Sequence, residues 1–532
     1  MSTGGAGAGG SEAPGSGGST SLASGGRASG GASSGSGGGG SGSPPTNGGS
    51  CSKTDSPSMA ACTVIESIGV FVSPKGSDDK GRGTRELPFK TLRTAITEAR
   101  KQSKRVYACS TGGAFQETVT LDEASDQTEL YGGFDCVDWT YAADAPTTVL
   151  SDTPRALVAS ELTSLVIEDF SFVAANAVAP GESSAAAWIA NSKSVFFRRV
   201  SLTAGNGADG ADGAGTKEPA PKGATGSSGV DACIAQHAPN EGGMEIESLC
   251  DGQPSGSIGG AGGDGGNDNK SALSGSPGQP ITNDRGLPGV GQTATPGWNC
   301  AVTGSSGGGG AQLGSDAMSQ PAAAGGVSSA TAAGTLTADG FTGPAGQDGA
   351  NGTPGQGGGG GGGAMAPGTC GGVLPRTGAS GGGGGGGGCG GKGGKGGGAG
   401  GGSFALVSFR SSINLEGGVL TAQRGGNGGK GGYGQPGGAG GLGGSGGKGV
   451  DSSSACPGAT GGKGGDGAHG GGGAGGPSAA IAVAGFQPVR QGAPLLKLSK
   501  DSSNGGDGGA GTGKGPGVGS AGLVTEVLSF DR

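Results

Sequence analysis

The sequence predicts a mainly β chain of stacked strand–turn–strand units, with long glycine-rich insertions leaving the stack. Three observations predict it. The segments LVIEDFSFVA (165–174), VFFRRVSLTA (195–204) and INLEGGVLTA (413–422) align without gaps, so that Leu165, Val195 and Ile413 coincide, as do Ile167, Phe197 and Leu415, and then Phe172, Leu202 and Leu420. Each copy has two alternating apolar positions, a turn and another apolar position, the pattern of strands that point alternate side chains into a shared interior. Glycine also recurs at every third residue from Gly425 to Gly449 without a miss, a phase that featureless low complexity does not need. Finally, one amphipathic segment follows Pro88, near the start of ordinary protein sequence.

Composition bounds the architecture. With 139 glycines in 532 residues, 4% aromatic and 31% hydrophobic residues, the chain falls between globular and disordered compositions, which excludes one uniform core. Charged residues make up 14% and leave a net charge of −8, which gives no footprint for nucleic acid or an anionic membrane. Residues 1–50 read as a disordered Gly/Ser-rich linker. Residues 51–176 hold the first rungs and a capping helix. Residues 177–532 hold further rungs, interrupted by glycine-rich insertions at about 205–400, 425–477 and 503–520.

Phe89, Leu92, Ile96 and Ala99 recur at helical spacing behind Pro88, which predicts a helix over 88–102. VYACS (106–110), ETVTL (117–121) and TELYGGF (128–134) read as strands between turn residues. FVSPKGSDDKGRGTRELPFKTLRTAITEA (71–99) resembles the opening segment of right-handed parallel β-helix proteins of the pectin-lyase-like class. That resemblance implies that the helix closes the first rung, hiding its apolar interior and its unpaired edge. SLTAGNGADG (201–210), TLTADGFTGP (335–344), VLTAQRGGNG (419–428) and LKLSKDSSNGG (496–506) each run into a glycine tract. The tracts are therefore expected to leave one corner of the coil and return as SFALVSF (403–409) and SAAIAVA (478–484), with LVTEVLSF (523–530) closing the chain.

Three residues per turn is the repeat of an extended polyproline II-type helix, which rises about 3.1 Å per residue and has no internal hydrogen bonds. Glycine in every third place leaves one side bare, so a neighbouring chain can approach. Residues 340–357 satisfy Gly-X-Y, but 28 prolines fall short of the roughly 15–20% of collagen. Side-by-side polyglycine II arms from one chain fit better, and disordered loops are the alternative. In 425–449 the third members are Asn427, Lys430, Tyr433, Pro436, Ala439, Leu442, Ser445 and Lys448, which leaves two sides bare and one clothed. This tract is expected inside a bundle and 340–357 at its edge. A turn at Gln435-Pro436-Gly437 is expected to divide 425–449 into two antiparallel arms.

Ten cysteines without a C-x-x-C pair, beside only His237 and His469, point to disulfides and not to zinc. Cys109 with Cys136, Cys233 with Cys250 and Cys51 with Cys62 are the expected pairs. Disulfides imply an oxidising compartment, although the first residues carry no export signal and the chain has no transmembrane span. An extracellular or outer-surface protein with an upstream lipoprotein signal is the expectation. Asp209, Asp212, Asp264, Asp466 and Asp507 lie among glycines, but the calcium-binding nonapeptide is out of phase, which favours solvated turn aspartates. Arg198 and Arg199 suggest the arginine of β-helix lyases. Glu168 and Asp169 align with them one rung earlier, which favours a stacked acid–base pair.

The glycine tracts as a whole resemble the glycine-rich bacterial surface or secreted proteins described as PE-PGRS-like, although the N-terminal Pro-Glu domain of that family is absent. The expectation is a structural or adhesive protein without enzymatic activity, catalytic residues, metal or cofactor, whose partner is a cell-surface or extracellular polysaccharide and not nucleic acid. A carbohydrate-active lyase or hydrolase-like β-helix protein is the alternative. Ice binding is a lesser one, disfavoured by the long, mixed side chains Lys430, Tyr433, Leu442 and Lys448.

Overall fold

The computed structural model describes residues 52–531 apart from 235–238, 253–255, 269, 282–284, 304–307, 319–320, 322–323, 327–332, 373–374, 451–452 and 506–516. The predicted linker, His237, Asp507 and the Cys51–Cys62 pair fall wholly or partly outside these residues.

The structure is mainly β and is organised in three parallel sheets. The first contains, in spatial order, Gly69–Val72, Arg105–Cys109, Thr128–Phe134, Leu165–Glu168, Val195–Arg198, Ile413–Glu416 and Val489–Gln491. The second contains Thr147–Leu150, Phe170–Val173, Ser201–Thr203, Val419–Thr421 and Leu495–Lys497. The third contains Val119–Leu121, Arg155–Ser160, Ser184–Ala190, Ser403–Phe409, Ser478–Ala484 and Val524–Phe530. From Leu165 onward these strands follow the order first, second, third, in strict rotation. The gapless alignment of the three copies is the register of the sheets: Val195 lies between Leu165 and Ile413, Phe197 between Ile167 and Leu415, and Leu202 between Phe172 and Leu420. These residues join Ala186, Ala187, Ala405, Leu406, Ala480 and Ile481 of the third sheet in one buried cluster.

The helix spans Leu92–Gln102, not 88–102. Phe89 is held in extended pairing, its N–H donating to Phe71 O and its carbonyl accepting from Ser73 N. Helix formation therefore waits until the Thr91 hydroxyl can cap Thr94 N, and the Glu117 carboxylate accepts from Leu92 N at 2.7 Å. Leu92, Ala95, Ile96 and Ala99 are buried in the shared core.

The excursions 204–402, 422–477 and 498–523 each leave after a second-sheet strand and return to a third-sheet strand. At the return, Ser184, Ser403 and Ser478 stack in register and are fully buried. Ser403 Oγ donates to Gly205 O at 2.7 Å and accepts from Gln423 N at 2.9 Å, which ties two departing tracts to one corner. TLTADGFTGP does not join the three parallel sheets. Thr335–Leu336 and Phe341–Thr342 pair antiparallel as a hairpin, and Leu336 and Phe341 pack with Trp188 and Phe404 in a separate cluster. Here the apolar pattern serves a clamp on the third sheet.

The glycine tracts hydrogen-bond with a three-residue period. Arm 424–448 runs antiparallel to arm 380–401: Gly426 N donates to Gly401 O, Gly429 to Gly398, and so on every third residue to Gly447 and Ser380, at 2.7–2.9 Å. Arm 455–476 returns antiparallel and donates from Ala455 to Gly447 O through Gly476 to Gly426 O, at 2.8–3.0 Å. Arm 380–403 in turn donates from Gly382 to Cys456 O through Ser403 to Pro477 O, closing a triangle of donors and acceptors. The expected hairpin at Gln435-Pro436-Gly437 does not form. Gln435 N donates to Lys392 O and Pro436 O accepts from Ala220 N, so neighbours on two sides keep the arm straight past the proline, whose missing N–H falls at an outward position. Tract 344–362 is more occupied than the single neighbour expected of an edge, since it pairs with both 380–397 and 456–474.

Candidate functional site

Two places concentrate side-chain chemistry. The first is the charged cluster on the outer side of the first sheet. Arg198 stands between Glu168 and Glu416, one strand either side, with guanidinium–carboxylate distances of 2.9 Å to both. Arg199 holds Asp169 by two bonds, Nε–Oδ1 at 2.7 Å and NH2–Oδ2 at 2.8 Å. Asp169 and Arg199 both take a left-handed turn conformation (φ 59° and 53°), as does Gly417 (φ 66°), so the same turn backbone follows successive strands of the first sheet. The segment before the first strand lies over the cluster, with Ser56 Oγ donating to Glu168 Oε2 at 2.5 Å and Arg199 NH2 donating to Ser58 Oγ at 3.0 Å.

Glu168 has a side chain only 4% exposed, and burial pushes its carboxyl above the usual range against the pull of Ser56, Arg198 and Arg199. Hydrogen bonding to Asp169 raises the Arg199 guanidinium against the opposing effect of burial. A lyase arginine must be free to take a proton, and its companion carboxylates must be free to hold a cation. Here each guanidinium and each carboxylate is engaged by the other, so the cluster cross-links neighbouring strands of the first sheet. The alignment had placed Glu168 and Asp169 over Arg198 and Arg199. Glu416 was legible in the same column, whereas Ser56 and Ser58 carried no sequence signal.

The second place is a cleft of about 380 Å³ lined by Thr118, Thr153, Arg155, Glu182, Ser183 and Phe341. Thr118, Ser151 and Thr153 satisfy one another's hydroxyls at 2.7–3.0 Å. The Arg155 guanidinium lies over the Trp188 ring at 4.2 Å and donates to Asp339 O, and burial pushes it below its ordinary value. The cleft is therefore the seam where the 335–342 hairpin is clamped to the third sheet.

The glycine arms are joined side by side by backbone hydrogen bonds. Gly381–Gly388 and Gly357–Gly363, where triplets are wholly glycine, are buried on all sides. In arm 380–401 the amides divide three ways: Gly382 and Gly385 donate to 456 and 459, Gly383 and Gly386 to 227 and 224, and Gly381 and Gly384 to 263 and 260. Where one triplet position carries a side chain, that position faces water, as at Lys392, Lys395, Leu442, Ser445 and Lys448. None of Gly381–Gly402 has positive φ, so these glycines are required for close approach and not for backbone conformation.

Aspartates complete the lattice at its margin. Asp209 accepts from Asn427 N at 2.6 Å, Asp212 from Lys430 N at 2.7 Å, Asp264 from Gly242 N at 2.9 Å and Asp466 from Gly437 N at 2.8 Å. Each of the four sits on an arm already bonded to the one whose amide it accepts, as Gly210 N to Asn427 O and Gly467 N to Gln435 O show. For Asp209 and Asp212 the three-residue spacing in GADGADG was the available signal. His469 accepts in the same way, with Nδ1 from Gly434 N at 3.0 Å.

Cys109 and Cys136 are joined, but Cys233 is joined to Cys370 and Cys250 to Cys389, with Cys300 to Cys456. The expected Cys233–Cys250 pair is thus corrected. Cys233 N donates to Thr377 O, which seats it beside the turn holding Cys370, whereas Cys389 takes the place of a glycine in the central arm and receives Cys250. Cys233–Cys370 and Cys250–Cys389 therefore close long loops within the excursion 204–402, and Cys300–Cys456 ties that excursion to 422–477. Among the described residues, no helix is long and apolar enough to cross a membrane. The chain matches no known family model and no curated protein.

Proposed function

We propose that the chain is a non-enzymatic structural or adhesive protein of the cell surface or extracellular space. In this reading the three sheets form a right-handed parallel β-helix that carries, from one corner, a rigid bundle of polyglycine II arms. The observation that carries it is the three-way division of amides in arm 380–401, since a lattice with every donor directed to a different neighbour makes an extended, stiff body from a chain poor in apolar residues. The four disulfides between described residues favour an oxidising compartment. The clothed positions of the arms line the margin of the bundle with lysine, serine, tyrosine and leucine. This mixed polar surface suits contact with an extracellular polysaccharide better than with a flat ice face. The glycine-rich composition keeps the likeness to PE-PGRS-like surface proteins as part of the same proposal.

Limited proteolysis of the native protein, together with thiol labelling of intact cells, tests it. A protease-resistant block covering 206–477 and thiols that react only after reduction are expected. Cleavage throughout the arms, or free thiols in a cytoplasmic fraction, would remove the reading. Release of unsaturated or reducing sugars from a pectin or uronate panel would replace it with the carbohydrate-active alternative.

A further inference from the structure

The two ends of the sheets differ. At the first end the helix Leu92–Gln102 lies against the strands Gly69–Val72, Arg105–Cys109 and Val119–Leu121 and buries its apolar side in the core. At the other end, Val489–Gln491, Leu495–Lys497 and Val524–Phe530 are the outermost strands of their sheets. Val489, Arg490, Gln491, Leu495, Lys497, Val524 and Glu526 are all exposed there, and Leu496 and Val527 are only partly buried. Among the described residues each of these three strands pairs on one side only, which leaves its other edge as a template for further strand pairing.

Two charges at this end occupy positions that are interior elsewhere. Arg490 lies in register with Leu415, and through it with Phe197 and Ile167. Val527 lies in register with Ile481, so Glu526 falls in line with Ala480, a core residue of the preceding rung. Leu496 follows Leu420 and Leu202. Neither Arg490 nor Glu526 forms an ion pair among the described residues.

We propose that this end joins two copies of the chain about a twofold axis through the strand Leu495–Lys497. The inference rests on the β-helix reading, in which the three terminal strands run around one open ring. A twofold reverses the direction of travel around the ring, so facing strands pair antiparallel. With the axis through the second sheet, Val489–Gln491 faces Val524–Phe530 of the second copy. Arg490 then meets Glu526 of that copy, Glu526 meets its Arg490, and the two Leu496 side chains meet at the centre. An axis through the first sheet would set Arg490 against Arg490. One through the third would set Val489–Gln491 against Leu495–Lys497, both of them basic. Charge complementarity therefore selects one geometry. The capping helix blocks head-to-tail stacking, so the assembly closes at two copies.

Sedimentation velocity of the purified full chain over a wide concentration range tests this. A reversible dimer is expected. Arg490→Glu or Glu526→Arg should each weaken it at least tenfold, about 1.4 kcal/mol, and the double exchange Arg490→Glu/Glu526→Arg should restore it. A species that stays monomeric at every concentration, a double variant no tighter than the single ones, or open-ended polymers would overturn the proposal. Amide exchange on the same samples separates the two readings. Protected Ile167, Phe197 and Leu415 in a monomer leave the β-helix standing and remove the dimer alone, whereas rapid exchange at these residues removes the β-helix.

Discussion

Replacing Gly440 or Gly443 with valine should disrupt the bundle, while the same change at Ser445, between the arms' contact sides, should be mild. A Cβ at Gly440 would lie 1.8 Å from Gly461 O, and one at Gly443 would lie 2.0 Å from Gly458 O. Even a close carbon–oxygen contact needs about 3.3 Å, so arms 424–448 and 455–476 must part by roughly 1.3–1.5 Å there. Gly461 N to Gly441 O and Gly458 N to Gly444 O, both 2.9 Å, would then stretch beyond hydrogen-bonding distance. Each lost bond costs about 0.5–1.5 kcal/mol net, and more where the freed groups stay buried, so either valine should cost about 2–5 kcal/mol. Ser445 is exposed and its hydroxyl bonds only Ser228 Oγ at 2.9 Å, so Ser445→Val should cost no more than about 0.5 kcal/mol. Amide exchange read by mass spectrometry, alongside denaturant unfolding, would measure both. Equal effects at the three positions, or rapid exchange across 424–448 in the unmodified protein, would refute the close-approach argument.

Arg198→Ala should destabilise the first sheet by about 2–4 kcal/mol, because it leaves the buried Glu168 carboxylate without one of its two guanidinium partners, and thermal unfolding would register it. If the loss is no greater than for a surface lysine, the cluster is not a cross-link. Asp348 is held below the usual carboxylate range by Lys395 and by the amide of Gly396. A depressed carboxyl contributes stability above its unfolded pKa and loses it as pH falls through the folded value. Protection of the Gly396 amide should therefore decline on acidification below the ordinary aspartate range, and a pH-independent Gly396 would contradict this. Asp212→Ala should speed exchange at Lys430 while leaving Gly429, which donates to Gly398 O, protected.

Much of the β architecture was legible because period-two apolar alternation is a local property. Leu165, Val195 and Ile413 could be aligned by inspection, and the sheets adopt that alignment as their register. The glycine phase was legible for the same reason, since each triplet position faces one direction, but the number of bare positions did not state how many neighbours an arm takes: 344–362 pairs with two arms where one was expected, and 424–448 with three where two were expected. Even the one-residue slip in arm 206–232 is written there. Gly213 and Gly223 are out of phase, and the bonds shift from Gly213–Lys430 to Ala220–Pro436. What the sequence could not state is which neighbour fills each side. Identical glycine triplets pair equally well in any combination, so their partners are chosen by where the strands deliver the arms and by which turns are long enough to return them. That is why the chain passes straight through Gln435-Pro436-Gly437, why Cys250 finds Cys389 and not Cys233, and why TLTADGFTGP, though it reads like a rung, closes as a hairpin on Trp188. Local sterics determine what each segment is able to pair with, and only the tertiary arrangement, which brings distant segments within bonding distance, decides which pair is made.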